Sequence, residues 1–341
     1  MAGRRQDLAD SLRQDLAPQR QKTFEYLKHN NPIIVQRKDI KMSELKIGMV
    51  GLDTSHATAF VDLLNDSNNE FHVPGCKIVK AFPGGSAKFS LSANRVEGFT
   101  EELKKRNVEI VDSLEALAGL DAYFLESVDG DQHLEQFKVL AKFGKPVFID
   151  KPLACNYDDA KAIVEIAKAE NVPLMSCSSI RYALGINDLK KEEDTEVFAC
   201  QAFGPMNLLD DYRDYFWYGI HSTEIVFAML GKGCESVQVI PTAHADLLFG
   251  RWADGRIGSI LGNRNGVWEF GCTITTNTHQ RQAVASGAVP YYSMLLKQVV
   301  PFFQTGKSPL DIEETLNIIA FLEAASRSRA ANGALIKIAD M

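Results

Sequence analysis

The sequence has no Cys-x-x-Cys pair: its six cysteines stand apart at positions 76, 155, 177, 200, 234 and 272. A thiolate metal cage needs closely spaced ligands, and a disulfide scaffold needs a density of cysteine that this chain does not reach. Both are excluded, and the thiols read as scattered, buried residues of a reducing compartment. No apolar run approaches the ~20 residues of a membrane-spanning helix. Positive charge is scarce as well. Lys and Arg number 37 against 44 Asp and Glu, a formal net charge of −7. Without a basic surface to displace phosphate counterions, non-specific binding to nucleic acid is excluded. The opening MAGRR is followed by the polar QDLADSLRQDLAPQRQ, where a secretory signal would need an apolar segment. These absences predict a cytoplasmic protein with no membrane partner, no nucleic-acid partner and no metal.

What is present is the composition of a globular enzyme, 45% hydrophobic and 24% charged over 341 residues, a length that predicts two domains. Residues 1–43 read as an N-terminal extension. They are polar, weakly amphipathic from Asp7 to Tyr26, and broken at Asn30-Asn31-Pro32. From Leu45 short apolar strands alternate with helical segments. Strands are expected at 45–51, 76–82, 108–111, 121–127, 146–150 and 172–176, with helices between them at 57–64, 100–106, 131–143 and 158–170. This alternation predicts an α/β fold for residues 44–178, a doubly wound parallel sheet of the Rossmann type whose ligand lies at the carboxyl ends of the strands. Residues 179–310 change character. Alternating strands near 195–203, 236–240, 244–252 and 256–261 predict an α+β domain with an open antiparallel sheet that binds substrate and another copy of the chain. A strong amphipathic helix from Asp311 to Ser328 begins a last segment, 311–341, expected to pack back on the first domain.

Four segments carry chemistry. The turn after the first strand, Gly51-Leu52-Asp53-Thr54-Ser55-His56, keeps one glycine of the G-x-G-x-x-G dinucleotide pattern. Either Thr54, Ser55 and His56 donate to a pyrophosphate with Asp53 turned away, or Asp53 caps the helix and the phosphate site is degraded. The second strand ends Phe82-Pro83-Gly84-Gly85-Ser86 without the acid that holds a ribose hydroxyl, so the choice between NAD and NADP stays open. Phe148-Ile149-Asp150-Lys151-Pro152 puts a lysine at a strand's carboxyl end, where it can donate to a substrate hydroxyl and steady developing charge. Trp217-Tyr218-Gly219-Ile220-His221 opens an apolar helix with a histidine fit to move a hydroxyl proton. A lone Lys-Pro or a lone helical histidine is more often structural; the order of the segments adds weight.

Together these stretches resemble the Gfo/Idh/MocA oxidoreductases over residues 45–338. Lys46 to Gly51, Val111 to Leu117, His133 to Pro152, Gly219 to Glu224 and Glu323 to Ser328 carry the likeness. Asp150-Lys151-Pro152 resembles the family's Glu-Lys-Pro motif, which implies that Lys151 contacts substrate and nicotinamide. His221 matches the family's catalytic histidine, and His133 matches one that follows the fourth strand. The cofactor set so implied is Gly51, Asp53, Thr54, Ser55, His56, Phe82, Ser86, Ser127, Val128, Asp129, His133, Asp150, Lys151 and Pro152. The chain departs from the pattern four residues before His221, where the family has aspartate and this sequence has Trp217; Asp214 is the nearest acid on that side. Arg181, Tyr182, Asp214, Trp217 and Tyr218, with Tyr212 and Arg213, are the expected substrate wall. The resemblance implies an NAD(P)-dependent oxidoreductase acting on a sugar, polyol or related small polar substrate, and the open apolar face of the second sheet predicts a homo-oligomer, dimer or tetramer. A non-catalytic dinucleotide or ligand sensor on the same fold is the alternative, and a lyase or isomerase that recycles its nicotinamide is a third.

Overall fold

The structure is a computed structural model that describes residues 44–190 and 196–341; the expected extension, residues 1–43, lies outside the described residues. Six strands form the first sheet: β1 (Leu45–Val50), β2 (Cys76–Phe82), β3 (Glu109–Ile110), β4 (Ala122–Leu125), β5 (Val147–Asp150) and β6 (Leu174–Cys177). Their order is β3-β2-β1-β4-β5-β6 and every pair is parallel. β4 and β5 are buried at every residue, as a parallel sheet covered on both faces demands. Helices α1 (Ser55–Asn65), α2 (Ser90–Ala93), α3 (Val96–Lys105), α4 (His133–Ala141) and α5 (Tyr157–Ala169) make the crossovers. The strand order reverses between β1 and β4, and a crevice opens there at the carboxyl ends.

The second sheet has seven strands: β7 (Val197–Pro205), β8 (Cys234–Pro241), β9 (Ala245–Trp252), β10 (Ile257–Asn263), β11 (Gly271–Thr276), β12 (Gln280–Val284) and β13 (Ile336–Lys337). Their order is β12-β11-β7-β10-β9-β8-β13. The expected antiparallel sheet is mixed, because β7 and β10 pair in parallel. Between β7 and β8 the chain crosses through α6 (Gly219–Leu230), so the β8–β9–β10 meander returns beside β7 in the same direction. One face of this sheet buries Cys200, Ala202, Leu248 and Ile260 under α6 and α8 (Ile312–Ala330). α6 is buried almost all round, the environment of a helix apolar on every side. The other face is open. Register places Phe203, Leu261, Leu247 and Ile240 in one row across four strands, with Leu261 52% and Ile240 57% exposed.

The division expected at residue 310 is not the division of the packing. Helix α7 (Tyr291–Thr305) sends Leu295, Leu296, Val299 and Phe303 into one cluster with Ile47, Phe60 and Phe124 of the first sheet and α1. Helix α8 touches both layers. Its Thr315 hydroxyl donates to the Ser176 carbonyl at 3.1 Å, and Glu323 accepts the Tyr157 amide at 2.7 Å. The tail adds β13 to β8 of the second sheet rather than returning to the first. Strands β12 and β13 are too short and polar to carry a readable alternation. All six cysteines are buried and free. Among the described residues no helix is long and apolar enough to cross a membrane.

Candidate active site

The β1–α1 turn depends on Gly51, at φ +91°. A Cβ there would lie 2.2 Å from the Ser127 backbone nitrogen, so the ends of β1 and β4 meet only without a side chain. The Gly51 amide donates to the Phe82 carbonyl at 3.1 Å, and Phe82 thus serves the site through its backbone. Thr54 is the cap of α1, its hydroxyl accepting the His56 amide at 3.4 Å. Asp53 does not cap the helix as one reading expected. Its carboxylate is fully buried and accepts the Val128 amide at 3.0 Å and the Ser92 hydroxyl at 2.6 Å, while Ser92 accepts the Ser86 amide at 2.7 Å. Three loops are tied through one acid, turned away from the crevice. Burial pushes the Asp53 carboxyl up, and these donors oppose the rise.

His56 is committed elsewhere than the expected pyrophosphate. Its Nδ1 lies 2.9 Å from Asp150 Oδ2 and 3.4 Å from Glu126 Oε2, all three groups buried. These are ion pairs by distance only: the contacts lack hydrogen-bond alignment, and both Glu126 oxygens stand without a hydrogen-bond partner. Burial alone would lower the imidazole's pKa, but the Asp150 charge overrides it and holds His56 well above its ordinary value. Burial, then the Asp150 charge, pushes Glu126 up to about 8. Burial would raise Asp150 too, yet His56 and Lys151 hold it below its ordinary value. The ligand-capable atoms of His56, Glu126 and Asp150 lie within 4.8 Å of one another, the spacing that could hold a cation; their charges already offset one another.

His133 fastens the strand exits. Its Nε2 lies 2.8 Å from the Ser127 carbonyl and its Nδ1 3.0 Å from that of Pro152. Asp129 caps a short 3-10 turn by accepting the Asp131 amide at 3.1 Å. Ser127 keeps a buried hydroxyl without a partner. Gly51, Asp53, Phe82, Ser86, Ser127, Asp129, His133, Asp150 and Pro152 therefore shape the crevice from behind.

A cavity of about 340 Å³ opens where the turn, the strand ends and the second sheet meet. It is lined by Thr54, Ser55, His56, Arg95, Val128, Lys151, Ser179, Ile180, Trp217, Tyr218, His221, Phe270, Tyr291 and Tyr292. Lys151 Nζ sits 5.2 Å from the Trp217 ring centre, a cation–π contact. His221 Nδ1 lies 2.7 Å from Ser178 Oγ, and its ring meets Tyr218 and Phe270 edge-on. Burial first, and the Lys151 charge second, hold His221 well below its ordinary pKa, so at neutral pH the imidazole is uncharged and able to take a proton.

Five expected substrate contacts, Arg181, Tyr182, Tyr212, Arg213 and Asp214, lie outside this cavity. Arg181 is buried in a pair with Glu224 at 2.8 Å and Glu314 at 2.5 Å. Tyr182 has its hydroxyl buried without a hydrogen-bond partner. Asp214 opens a 3-10 turn on another surface, 4.0 Å from Arg329. Tyr212 donates its hydroxyl to the Val128 carbonyl at 3.1 Å, and Arg213 reaches Asp131 at 3.3 Å. The residues that sequence reasoning missed are Arg95, Ser179, Ile180, Phe270, Tyr291 and Tyr292 of the lining, with Glu126 and Ser178 behind it. Only the Tyr291-Tyr292 pair, opening a long helix, left a local signal.

The donor set suits a dinucleotide. Thr54, Ser55, Arg95 and Lys151 line one cavity whose lining includes no carboxylate among the described residues. Cationic and hydroxyl donors of this kind bind phosphate oxygens.

Comparison with known proteins agrees with this fold. Residues 45–177 match the GFO_IDH_MocA family, an oxidoreductase family with an NAD-binding Rossmann fold. An uncharacterized protein of Saccharomyces cerevisiae is 25% identical over 217 residues, 56% of this chain and 57% of the yeast protein, so the match spans little more than half of that relative. Myo-inositol dehydrogenase from Lactobacillus casei, solved with NAD(H) and myo-inositol, superposes with a TM-score of 0.69 at 17% identity, covering 86% of this chain and 96% of that one. Myo-inositol 2-dehydrogenase from Lactobacillus plantarum gives 0.68 at 15% identity, over 86% and 99%. At such identities the likeness to solved structures is one of fold. Residues 45–177 of this chain are thus similar to the NAD-binding Rossmann domain of the Gfo/Idh/MocA oxidoreductases.

Proposed function

We propose that the protein is an NAD(P)-dependent oxidoreductase acting on a hydroxyl-bearing carbon of a sugar, polyol or related small polar molecule. The observation that carries this reading is the convergence on one cavity of Lys151, from the end of β5, and His221, from helix α6. Thr54, Ser55 and Arg95 would hold the phosphates of the dinucleotide, and Lys151 its nicotinamide end. When bound, the nicotinamide supplies what side chains lack, a group that accepts or returns a hydride. Lys151 donates from Nζ to the substrate oxygen and steadies negative charge there. The uncharged His221 takes the hydroxyl proton. Trp217, Tyr218, Phe270, Tyr291 and Tyr292 give the aromatic walls that suit the faces of a polyhydroxylated ring, and the volume lies in the range of small-molecule sites.

The test is steady-state turnover of NAD+ and NADP+ against a panel of inositols, hexoses and sugar acids. Turnover of one class, lost in Lys151→Ala and His221→Ala, supports the reading. A specific observation favours one alternative, a dinucleotide or ligand sensor without turnover: Asp53 ties the loops shut where a dinucleotide turn ordinarily carries glycine. Tight cofactor binding with no turnover on any substrate would decide for it.

The proposal includes a homo-oligomer, dimer or tetramer, formed through the open face of the second sheet. The row Phe203–Leu261–Leu247–Ile240, half-buried at Phe203 and exposed at the three aliphatic residues, is an apolar stripe of the kind that a second copy covers symmetrically. Light scattering is expected to show a multimer that Leu261→Glu dissociates; a monomeric wild-type protein contradicts this.

A further inference from the structure

We infer that Ser178 is the positioning residue of His221, and that its hydroxyl does for the proposed base what a carboxylate would otherwise do. The inference rests on the oxidoreductase reading for its catalytic consequence but not for its geometry. Ser178 follows β6 and is fully buried. It is held at two points: its amide donates to Glu224 Oε1 at 3.0 Å, and its Oγ accepts the Ile180 amide at 3.2 Å. From that fixed place Oγ reaches His221 Nδ1 at 2.7 Å. His221 and Glu224 share one face of α6, so strand end and helix are clasped twice, once by each backbone-anchored contact. The clasp leaves Nε2 as the imidazole nitrogen free to serve the cavity. No other hydrogen bond to the His221 ring exists among the described residues. Trp217, four residues earlier, turns its ring to Lys151 instead.

A hydroxyl differs from a carboxylate in a way that matters here. A carboxylate only accepts, so it fixes the proton on Nδ1 and raises the basicity of the ring. A hydroxyl both donates and accepts, so Ser178 pairs with Nδ1 whether or not that nitrogen carries hydrogen. The tautomer able to act as base has Nε2 bare and donates Nδ1–H to Ser178 Oγ. As a substrate O–H bond breaks and its proton joins Nε2, the imidazolium keeps that same Nδ1–H donation, and the serine proton points away from the ring throughout. The base keeps its orientation through both states without a second buried charge, and it stays weak enough to return the proton.

The experiment reads the ring itself. Long-range proton–nitrogen NMR on histidine-labelled full-length protein reports the tautomer and pKa of His221 in the wild type, Ser178→Ala and Ser178→Thr. The expected result is a changed tautomer balance in Ser178→Ala, restored by threonine, which keeps the hydroxyl. The companion kinetics are expected to show kcat reduced about tenfold or more in Ser178→Ala with KM little changed, within the ~10²–10⁴-fold that a general base contributes. Ser178→Asp is expected to move the acidic limb of the pH profile upward. Identical His221 titration and tautomer in wild type and Ser178→Ala would overturn the inference. A changed ring in a protein that turns over no substrate would keep Ser178 as the orienting group and remove the oxidoreductase reading instead.

Discussion

His56 Nδ1 stands 2.9 Å from Asp150 Oδ2, so a histidine in the first turn of α1 grips the strand end that delivers Lys151 to the cavity. Glu126 shares the same imidazole at 3.4 Å. The floor of the site is thus a buried cluster of two acids and one histidine, with the lysine next in sequence.

That cluster makes stability depend on pH. Burial holds Glu126 at about 8, against about 4.3 in an unfolded chain. Between those values the folded protein keeps a proton that the unfolded chain releases, so stability falls as pH rises, by at most about 1.4 kcal/mol per pH unit. His56, also raised, acts in the same direction: its contribution is complete below about pH 6.5 and is lost as pH climbs through the folded value. Asp150, lowered, contributes above about pH 3.9 and loses that contribution only in acid. Urea unfolding is therefore expected to show greater stability at about pH 6 than at about pH 8.5, and Glu126→Gln, which imitates the protonated acid, should flatten the difference. Parallel losses in wild type and variant would contradict the assignment.

Arg181 is a structural residue. Its guanidinium is buried between Glu224 and Glu314, and removing one partner of such a group strands charge away from water. Arg181→Met is expected to cost about 3–5 kcal/mol of unfolding free energy. A variant as stable as wild type but with a raised KM would return Arg181 to the substrate wall.

Lys151 and His221 should separate chemistry from folding. His221→Ala is expected to lower kcat by roughly 10²–10⁴-fold, and Lys151→Ala to lower kcat/KM at least as far, both with circular dichroism unchanged. If either variant keeps wild-type turnover, its residue has no part in proton transfer or charge stabilisation.

How much of this could be read from the sequence follows from range. Gly51, Lys151 and His221 sit at element ends that short local patterns mark, and the strand–helix alternation of residues 44–178 needs only neighbouring residues. The parallel β7–β10 pair was hidden because β10 returns to β7 only after a helix and two strands have intervened. Arg181 reads locally as a substrate contact because a planar cationic donor suits a polyhydroxylated ligand, and Asp214 because it is the nearest acid before His221. The partners of Arg181 lie 43 and 133 positions away, and no local pattern reports them. His56 was misread for the same reason: its place in a phosphate-binding turn is local, while its grip on Asp150 is not. Ser178, one of three serines in Ser176-Cys177-Ser178-Ser179, carried no signal until the fold set it against His221.

The central claim is that the altered β1–α1 turn and the cavity beside it still form a working nicotinamide site. Isothermal titration of the purified, cofactor-free protein with NADH and NADPH tests it most directly. Micromolar binding of one of them, weakened in Arg95→Ala and Lys151→Ala, is the result this account predicts. A folded protein that binds neither form would contradict it.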